Sequence, residues 1–286
     1  MKRIITSLRP HFWVLSIIPA LTGACLASHL IDWKQFLLIA ILIGPCLSGI
    51  AEIVNDYSDR ELDKLQKVKR IFGLPLAGGS GVLGLGGITL EETLAASIIL
   101  VIVSLAIALS INQSVVILWF IGLAIALGYS LEPIRLKTKG FWGVIAVAGF
   151  RGLLSFHIGW LAFASINPAS LIIGTFLTFL YFTGFTTSHI SDYHEDKKLG
   201  INTFPVQAGF RNACLASAGS IVGAFILLSA ANRANLVQVN AISVLVLILS
   251  GLLFAKLLTL DENGSNLPRL EIQAIILLCV APLIFL

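Results

Sequence analysis

A chain of 286 residues that is 57% hydrophobic and only 12% charged, with a mean hydropathy of +0.95, is not a soluble globular domain, whose charged fraction runs at about 25%. The net charge of +4 is small and the basic residues cluster between apolar runs, which argues against nucleic acid as a partner. Runs of about twenty Leu-, Ile- and Ala-rich residues specify an all-α membrane protein rather than a barrel of short alternating strands.

Nine transmembrane helices are expected in a single polytopic domain over residues 1–286, at about 11–31, 35–55, 90–111, 114–131, 141–164, 169–190, 213–230, 236–258 and 268–286. They read as two four-helix halves plus a ninth helix. Lys2 and Arg3 before an apolar run resemble a signal peptide, but Arg9, Pro10 and His11 interrupt it. Phe12 to Leu30 is long enough to span, so this segment reads as a retained first helix.

The second span runs into Asn55-Asp56-Tyr57-Ser58-Asp59-Arg60-Glu61-Leu62-Asp63. On a continuing helix Asn55, Asp59 and Asp63 recur every four residues and share a face, with Asp56 beside them. Stacked carboxylates repel, at a cost that is high at the end of a membrane helix unless a cation sits among them. The following loop, 57–88, carries Arg60, Lys64, Lys67 and Arg70. Its glycine-rich part, Gly73 to Gly81, reads either as a nest of N–H groups for phosphate or as a re-entrant connector; without a Walker lysine, a nucleotide loop is disfavoured.

Arg135 and Lys137 follow the fourth span, which ends at Tyr129-Ser130. Arg151 and His157 lie inside the fifth, where ionisable groups are costly; they read as lining for an acceptor pocket or as groups paired with neighbours. The sixth span ends in Asp192-Tyr193-His194-Glu195-Asp196, a second acidic pair 133 residues after Asp59 and Asp63, followed by Lys197, Lys198 and the loop 191–212. Four cysteines, all within apolar runs and without metal-ligand spacing, read as buried hydrophobes.

Alternating nine spans from a cytoplasmic N-terminus puts all basic residues on or near the cytoplasmic side except Lys34, Arg233 and the intramembrane Arg151. That bias agrees with the positive-inside rule and brings both acidic motifs to the same side of the bilayer. Carboxylate and amide oxygens without a Cys/His set favour Mg²⁺ over zinc. Mg²⁺ completes its shell with water and phosphate oxygens, so a diphosphate ligand is expected. Arg60, Lys64, Arg70, Arg135, Lys137, Lys197 and Lys198 are positioned to neutralise a diphosphate leaving group, or serve only the charge bias.

These motifs resemble the UbiA superfamily of intramembrane prenyltransferases, with N-D-x-x-D-x-x-x-D at Asn55, Asp56, Asp59 and Asp63, and D-x-x-x-D at Asp192 and Asp196. Arg9-Pro10, Tyr129-Ser130 with Arg135-Leu136-Lys137, and Lys197-Lys198-Leu199-Gly200 add to the resemblance, which covers nearly the whole chain. It implies that Asn55, Asp56, Asp59, Asp63, Asp192 and Asp196 bind a Mg²⁺–diphosphate, with Lys137 and Tyr129 near the diphosphate and the allylic carbon. Two positions depart from the family pattern: His189 stands where an acidic residue or Asn is common, and Leu74-Pro75-Leu76-Ala77-Gly78-Gly79 lacks the usual arginine.

The expected activity is Mg²⁺-dependent transfer of a prenyl group from an isoprenyl diphosphate to an apolar or aromatic acceptor, such as a quinone or pigment precursor, in the cell membrane. A terpene cyclase using the donor alone is the alternative. A cation-coupled transporter fits less well, because transport sites lie near the bilayer midplane and these motifs lie at helix ends.

Overall fold

The computed structural model describes residues 6–28, 32–61, 69–71, 74–77, 88–262 and 267–286. Apolar sequence in hydrocarbon must pair every backbone N–H and C=O internally, which selects helix. Six helices long and apolar enough to cross a membrane come first: α1 (Pro10–Ala27), α2 (Trp33–Asp59), α3 (Leu90–Ile111), α4 (Gln113–Ser130), α5 (Phe141–Leu161) and α6 (Pro168–Ser191). Two short helices follow, α7 (Tyr193–Leu199) and α8 (Phe204–Ala208), then the long α9 (Phe210–Arg233) and α10 (Ile242–Thr259). The chain is thus a multi-pass membrane protein with eight helices of spanning length among the described residues.

The expected ninth span differs. It forms α11 (Leu267–Val280), continued by a 3₁₀ turn at Ala281–Phe285, and its apolar stretch Leu270–Phe285 is shorter than the other eight. Between α2 and α3, β1 (Lys69–Ile71) and β2 (Leu74–Ala77) pair antiparallel, a small hairpin not anticipated from the sequence. Asp63, Lys64, Lys67 and most of the glycine-rich segment lie outside the described residues, and of Arg70 only the backbone is described.

The chain divides into two compact units, one of Met1–Ile17 with Asp32–Arg135 and one of Ile18–Ile31 with Leu136–Leu286, so the first part of α1 belongs to one and the rest to the other. In the first unit α2 is the core helix, with Ile39, Leu42, Ile43, Leu47, Ile50 and Ile53 all buried. Its middle, Leu42–Ser48, is a π-helical segment containing Pro45. Proline has no N–H for the α ladder, and the wider turn accommodates it. Ser48 and Ser16 bond hydroxyl to hydroxyl at 3.1 Å, and Trp119 Nε1 donates to Ser104 Oγ at 2.9 Å, joining α2 to α1 and α4 to α3. Such polar contacts stand in for the hydrophobic drive that is missing between helices in lipid. The outer face of α3 exposes Ile98, Ile99, Ile102 and Leu109, as a lipid-facing surface does.

In the second unit α6 is central and packs against α5, α9 and α11, with Phe176, Leu177, Leu180 and Tyr181 fully buried. Thr183 Oγ1 donates to the Ser217 carbonyl at 3.1 Å and Ser220 Oγ to the Phe179 carbonyl at 2.7 Å, tying α6 to α9. The second half of α1 meets α5 backbone to backbone: a Cβ at Gly159 would run into the Ala20 carbonyl oxygen, and one at Gly23 into that of Phe156. Gly159→Val is therefore expected to lower the thermal midpoint in detergent by an amount equivalent to about 1–3 kcal/mol. Gly219→Ala, where a Cβ meets nothing within 4 Å, is expected to leave it unchanged or raised.

Candidate active site

In the first unit the helical repeat of α2 stops at Asp59, so the described helix does not carry the stripe on to Asp63. Its last two turns present Glu52, Asn55, Asp56 and Asp59. In place of the expected repulsive row, the carboxylates are shared between two arginines. Arg9 donates from Nη2 to Asp56 Oδ1 at 2.7 Å and pairs with Glu52 Oε2 at 3.3 Å, all three side chains being nearly or fully buried. Arg135 reaches Asp59 Oδ1 at 3.4 Å and Glu132 Oε1 at 3.1 Å.

Asp56 and Asp59 therefore face different environments. The Asp56 side chain is 2% exposed and sits in a buried ion triad, whereas that of Asp59 is 19% exposed at the edge of the bundle. Asn55 Oδ1 accepts from Ser130 Oγ at 3.3 Å, and Ser58 Oγ donates to the Ser130 carbonyl at 2.6 Å. Ser130 thus pins the end of α2 to the end of α4, where Tyr129 is half-buried in the last turn. Arg9 and Arg135 are also two of only three non-glycine residues with positive φ among the described residues, at 46° and 38°. Such conformations cost free energy for an arginine and persist where the surrounding contacts over-determine them, as at functional sites. Arg60 turns back on its own helix, its guanidinium 4.6 Å from the Tyr57 ring centroid and donating to the Tyr57 carbonyl at 2.9 Å.

In the second unit Asp192 closes α6 and Asp196 lies on α7. Asp196 is 8% exposed and its Oδ2 accepts from Thr203 Oγ1 at 3.0 Å. Gly200, with φ of 71°, ends α7 in the left-handed cap that glycine takes most readily, which accounts physically for its place after Lys197-Lys198-Leu199. The Gly140 N–H donates to the Asn202 carbonyl at 3.2 Å and Asn202 Nδ2 to the Thr138 carbonyl at 3.4 Å. Those bonds lay the 3₁₀ turn Leu136–Thr138, which carries Lys137, alongside the connector after Asp196. Lys197 lies along Tyr193, Nζ 3.2 Å from its hydroxyl and 5.2 Å from its ring centroid, and the hydrogen bond raises the ammonium pKa. Lys198 is exposed.

Several groups at these helix ends were not singled out as site residues from the sequence. Glu271 on α11 is buried and accepts from Ser188 Oγ at 3.0 Å and Ser191 Oγ at 3.3 Å, in the turn that leads to Asp192. Arg9 and Thr203 are others; the only local signal was Arg9 before Pro10. One turn before Asp192, His189 has a buried Nδ1 without a hydrogen-bond partner among the described residues, while His194 meets the Glu262 carbonyl at 2.9 Å on the exposed side.

Arg151 and His157 are not brought together. Arg151, 6% exposed in the π-helical segment Phe150–Leu154 of α5, lies with its guanidinium carbon 5.5 Å from the Phe185 centroid on α6, and near Tyr181. His157 faces Gly174 further along α6. Its Nδ1 donates to the Leu153 carbonyl at 2.8 Å, which leaves Nε2 a buried acceptor without a hydrogen-bond partner among the described residues. Within either unit, no three described His, Cys, Asp or Glu side chains converge on one point. The acidic ends offer oxygen donors in ones and twos instead, which fits Mg²⁺: that ion takes one or two carboxylates and fills its octahedron with water and phosphate oxygens.

A sequence model described as "UbiA prenyltransferase family" matches residues 16–275. The chain is 29% identical over 213 residues to the bacteriochlorophyll synthase 34 kDa chain of Chloroflexus aurantiacus, covering 73% of this chain and 65% of that one, so it spans just under two thirds of that relative. It is 28% identical to the digeranylgeranylglyceryl phosphate synthase of Saccharolobus solfataricus, covering 74% of this chain and 71% of the other. The fold superposes on a homologue from Archaeoglobus fulgidus solved with GPP and Mg²⁺, with a TM-score of 0.71 at 21% identity over 99% of both chains. An apo homologue from Aeropyrum pernix K1 gives 0.73 at 22% identity, covering 97% and 96%.

Proposed function

Because the chain belongs to the UbiA prenyltransferase family, we propose that it transfers a prenyl group from an isoprenyl diphosphate to an apolar or aromatic acceptor within the membrane, releasing diphosphate. What carries this reading is the end of α2, where Asn55 and the partly exposed Asp59 lie one turn apart with the Arg135 guanidinium on Asp59. An anion-binding cation beside oxygen donors suits a metal diphosphate. Relatives are named as enzymes of this class, and a homologue of the same fold was solved with a prenyl diphosphate and Mg²⁺.

In this proposal Asn55, Asp56, Asp59 and Asp63 of the first unit form one Mg²⁺-binding set, and Asp192 and Asp196 of the second form another. Asp59 is the direct ligand and Asp56 the residue that, through Arg9, fixes the helix end. Bound there, Mg²⁺ screens the diphosphate oxygens and makes diphosphate a better leaving group. Beside each set, Arg60, Lys64, Arg70 and Arg135 in the first unit and Lys137, Lys197 and Lys198 in the second supply positive charge for a diphosphate as the C–O bond breaks and its electron pair leaves with the diphosphate. Tyr129 lies beside the allylic carbon, and the apolar helix walls keep water from the cation until the acceptor nucleophile attacks it and loses its proton. Arg151 and His157 belong to the acceptor side, Arg151 for its buried charge and His157 for its open Nε2. The short α11 completes a nine-span topology, with the N-terminus and both acidic ends facing the cytoplasm.

The test is diphosphate release by the purified protein in lipid, supplied with an isoprenyl diphosphate and candidate acceptors, with product identified by mass. Chelation by EDTA is expected to reduce release at least about a hundredfold, and Mg²⁺ to restore it. Release that proceeds undiminished in EDTA, or a donor-only hydrocarbon product, counts against the proposal.

A further inference from the structure

The second unit carries a groove of about 550 Å³ between α9 and α10, away from the acidic ends. Its size is that of a ligand site rather than a packing flaw. Phe225 and Ile226 on α9, with Leu247 and Phe254 on α10, form apolar walls, and Ile226 and Leu247 are 65% and 55% exposed. Ser250 and Gly251 form the floor of the groove, and a Cβ at Gly251 would meet nothing within 4 Å. At one end stands Arg233, exposed, with no hydrogen bond or ion pair to its side chain among the described residues.

We propose that this groove holds one anionic phospholipid, an acyl chain along the apolar walls and the phosphate on Arg233. Two features select that occupant. From Ile221 to Arg233 the helix rises about 18 Å, close to the ~15 Å depth of one leaflet, so a chain in the groove puts its headgroup level with Arg233. The single charge at the open end is positive, which complements a phosphate and leaves a zwitterionic headgroup with less to gain. Arg233 is also at the far end of α9 from α7, away from the basic loops, so a local binding role explains a cation that the charge bias of the chain does not.

The experiment uses the full chain in nanodiscs of equimolar phosphatidylglycerol and phosphatidylcholine with identical acyl chains, released into a native mass spectrometer. The expected result is one retained lipid, phosphatidylglycerol favoured about fivefold. R233Q is expected to abolish the preference while still retaining lipid. G251L, which fills the groove at a position free of clashes, is expected to lose retention of both lipids at least about fivefold, with unchanged helical content and thermal midpoint. Equal retention of the two lipids by the wild-type chain, an undiminished preference in R233Q, full retention in G251L, or a second copy of the chain covering this face in place of lipid would each overturn the proposal.

Discussion

Asp59→Ala is expected to lower diphosphate release at saturating donor at least about a hundredfold, the size of effect seen when one preorganised electrostatic group is removed from an active site. Asp59 is singled out over its neighbours because its carboxylate is partly exposed at the helix end, while Asp56 is enclosed. The substitution also removes the Asp59 carboxylate from Arg135, which keeps Glu132 among the described residues. Arg135 then binds free diphosphate as well as or better than before. Catalysis and ligand binding should therefore separate, kcat falling steeply while the inhibition constant of inorganic diphosphate changes little or improves. Asp192→Ala, in the second acidic set, is expected to lose activity to a similar extent. Both proteins should fold, since each residue lies at a helix end rather than in the core, and unchanged thermal midpoints would confirm it. Wild-type turnover in both variants would remove the basis of the proposed function.

Arg9→Leu is the change expected to cost most in stability. It leaves Glu52 and Asp56 as two carboxylates with little access to water and without the guanidinium that each contacts. Breaking a buried ion pair from one side costs about 3–5 kcal/mol, because the remaining charge is uncompensated. A large drop in the thermal midpoint should follow, with loss of activity because the end of α2 is no longer fixed. Adding Asp56→Asn to Arg9→Leu should recover part of the lost stability, since the more deeply buried of the two carboxylates then carries no charge. Additive or worse behaviour in that double-mutant cycle would show that the triad does not act as a unit.

The helices were legible in the sequence because the bilayer imposes a rule that acts locally: about twenty apolar residues, all backbone groups paired within the segment. The same holds for the two acidic clusters, since Asn55 and Asp59, or Asp192 and Asp196, are recognisable from spacing alone. Where the last helix changes type was not legible: Ala281-Pro282 is apolar enough to continue an α-helix, but proline lacks an N–H, and the chain tightens into a 3₁₀ turn there. The hairpin at Lys69–Ala77 was missed because a short, mixed segment carries no strand periodicity.

By itself the sequence determined that this is a helical membrane protein with hard oxygen donors and basic residues gathered at helix ends, because hydropathy and short-range spacing are properties of neighbouring residues. Only the tertiary structure decided which charge answers which. Arg9 reaches Asp56 across 47 positions, Arg135 reaches Asp59 across 76, and the Glu271 carboxylate receives Ser188 across 83. Any of a dozen cations satisfies a carboxylate equally well on paper. Packing of the helices selects one, because burial makes an unpaired charge too costly to keep and only the group already held within about 3 Å can relieve it.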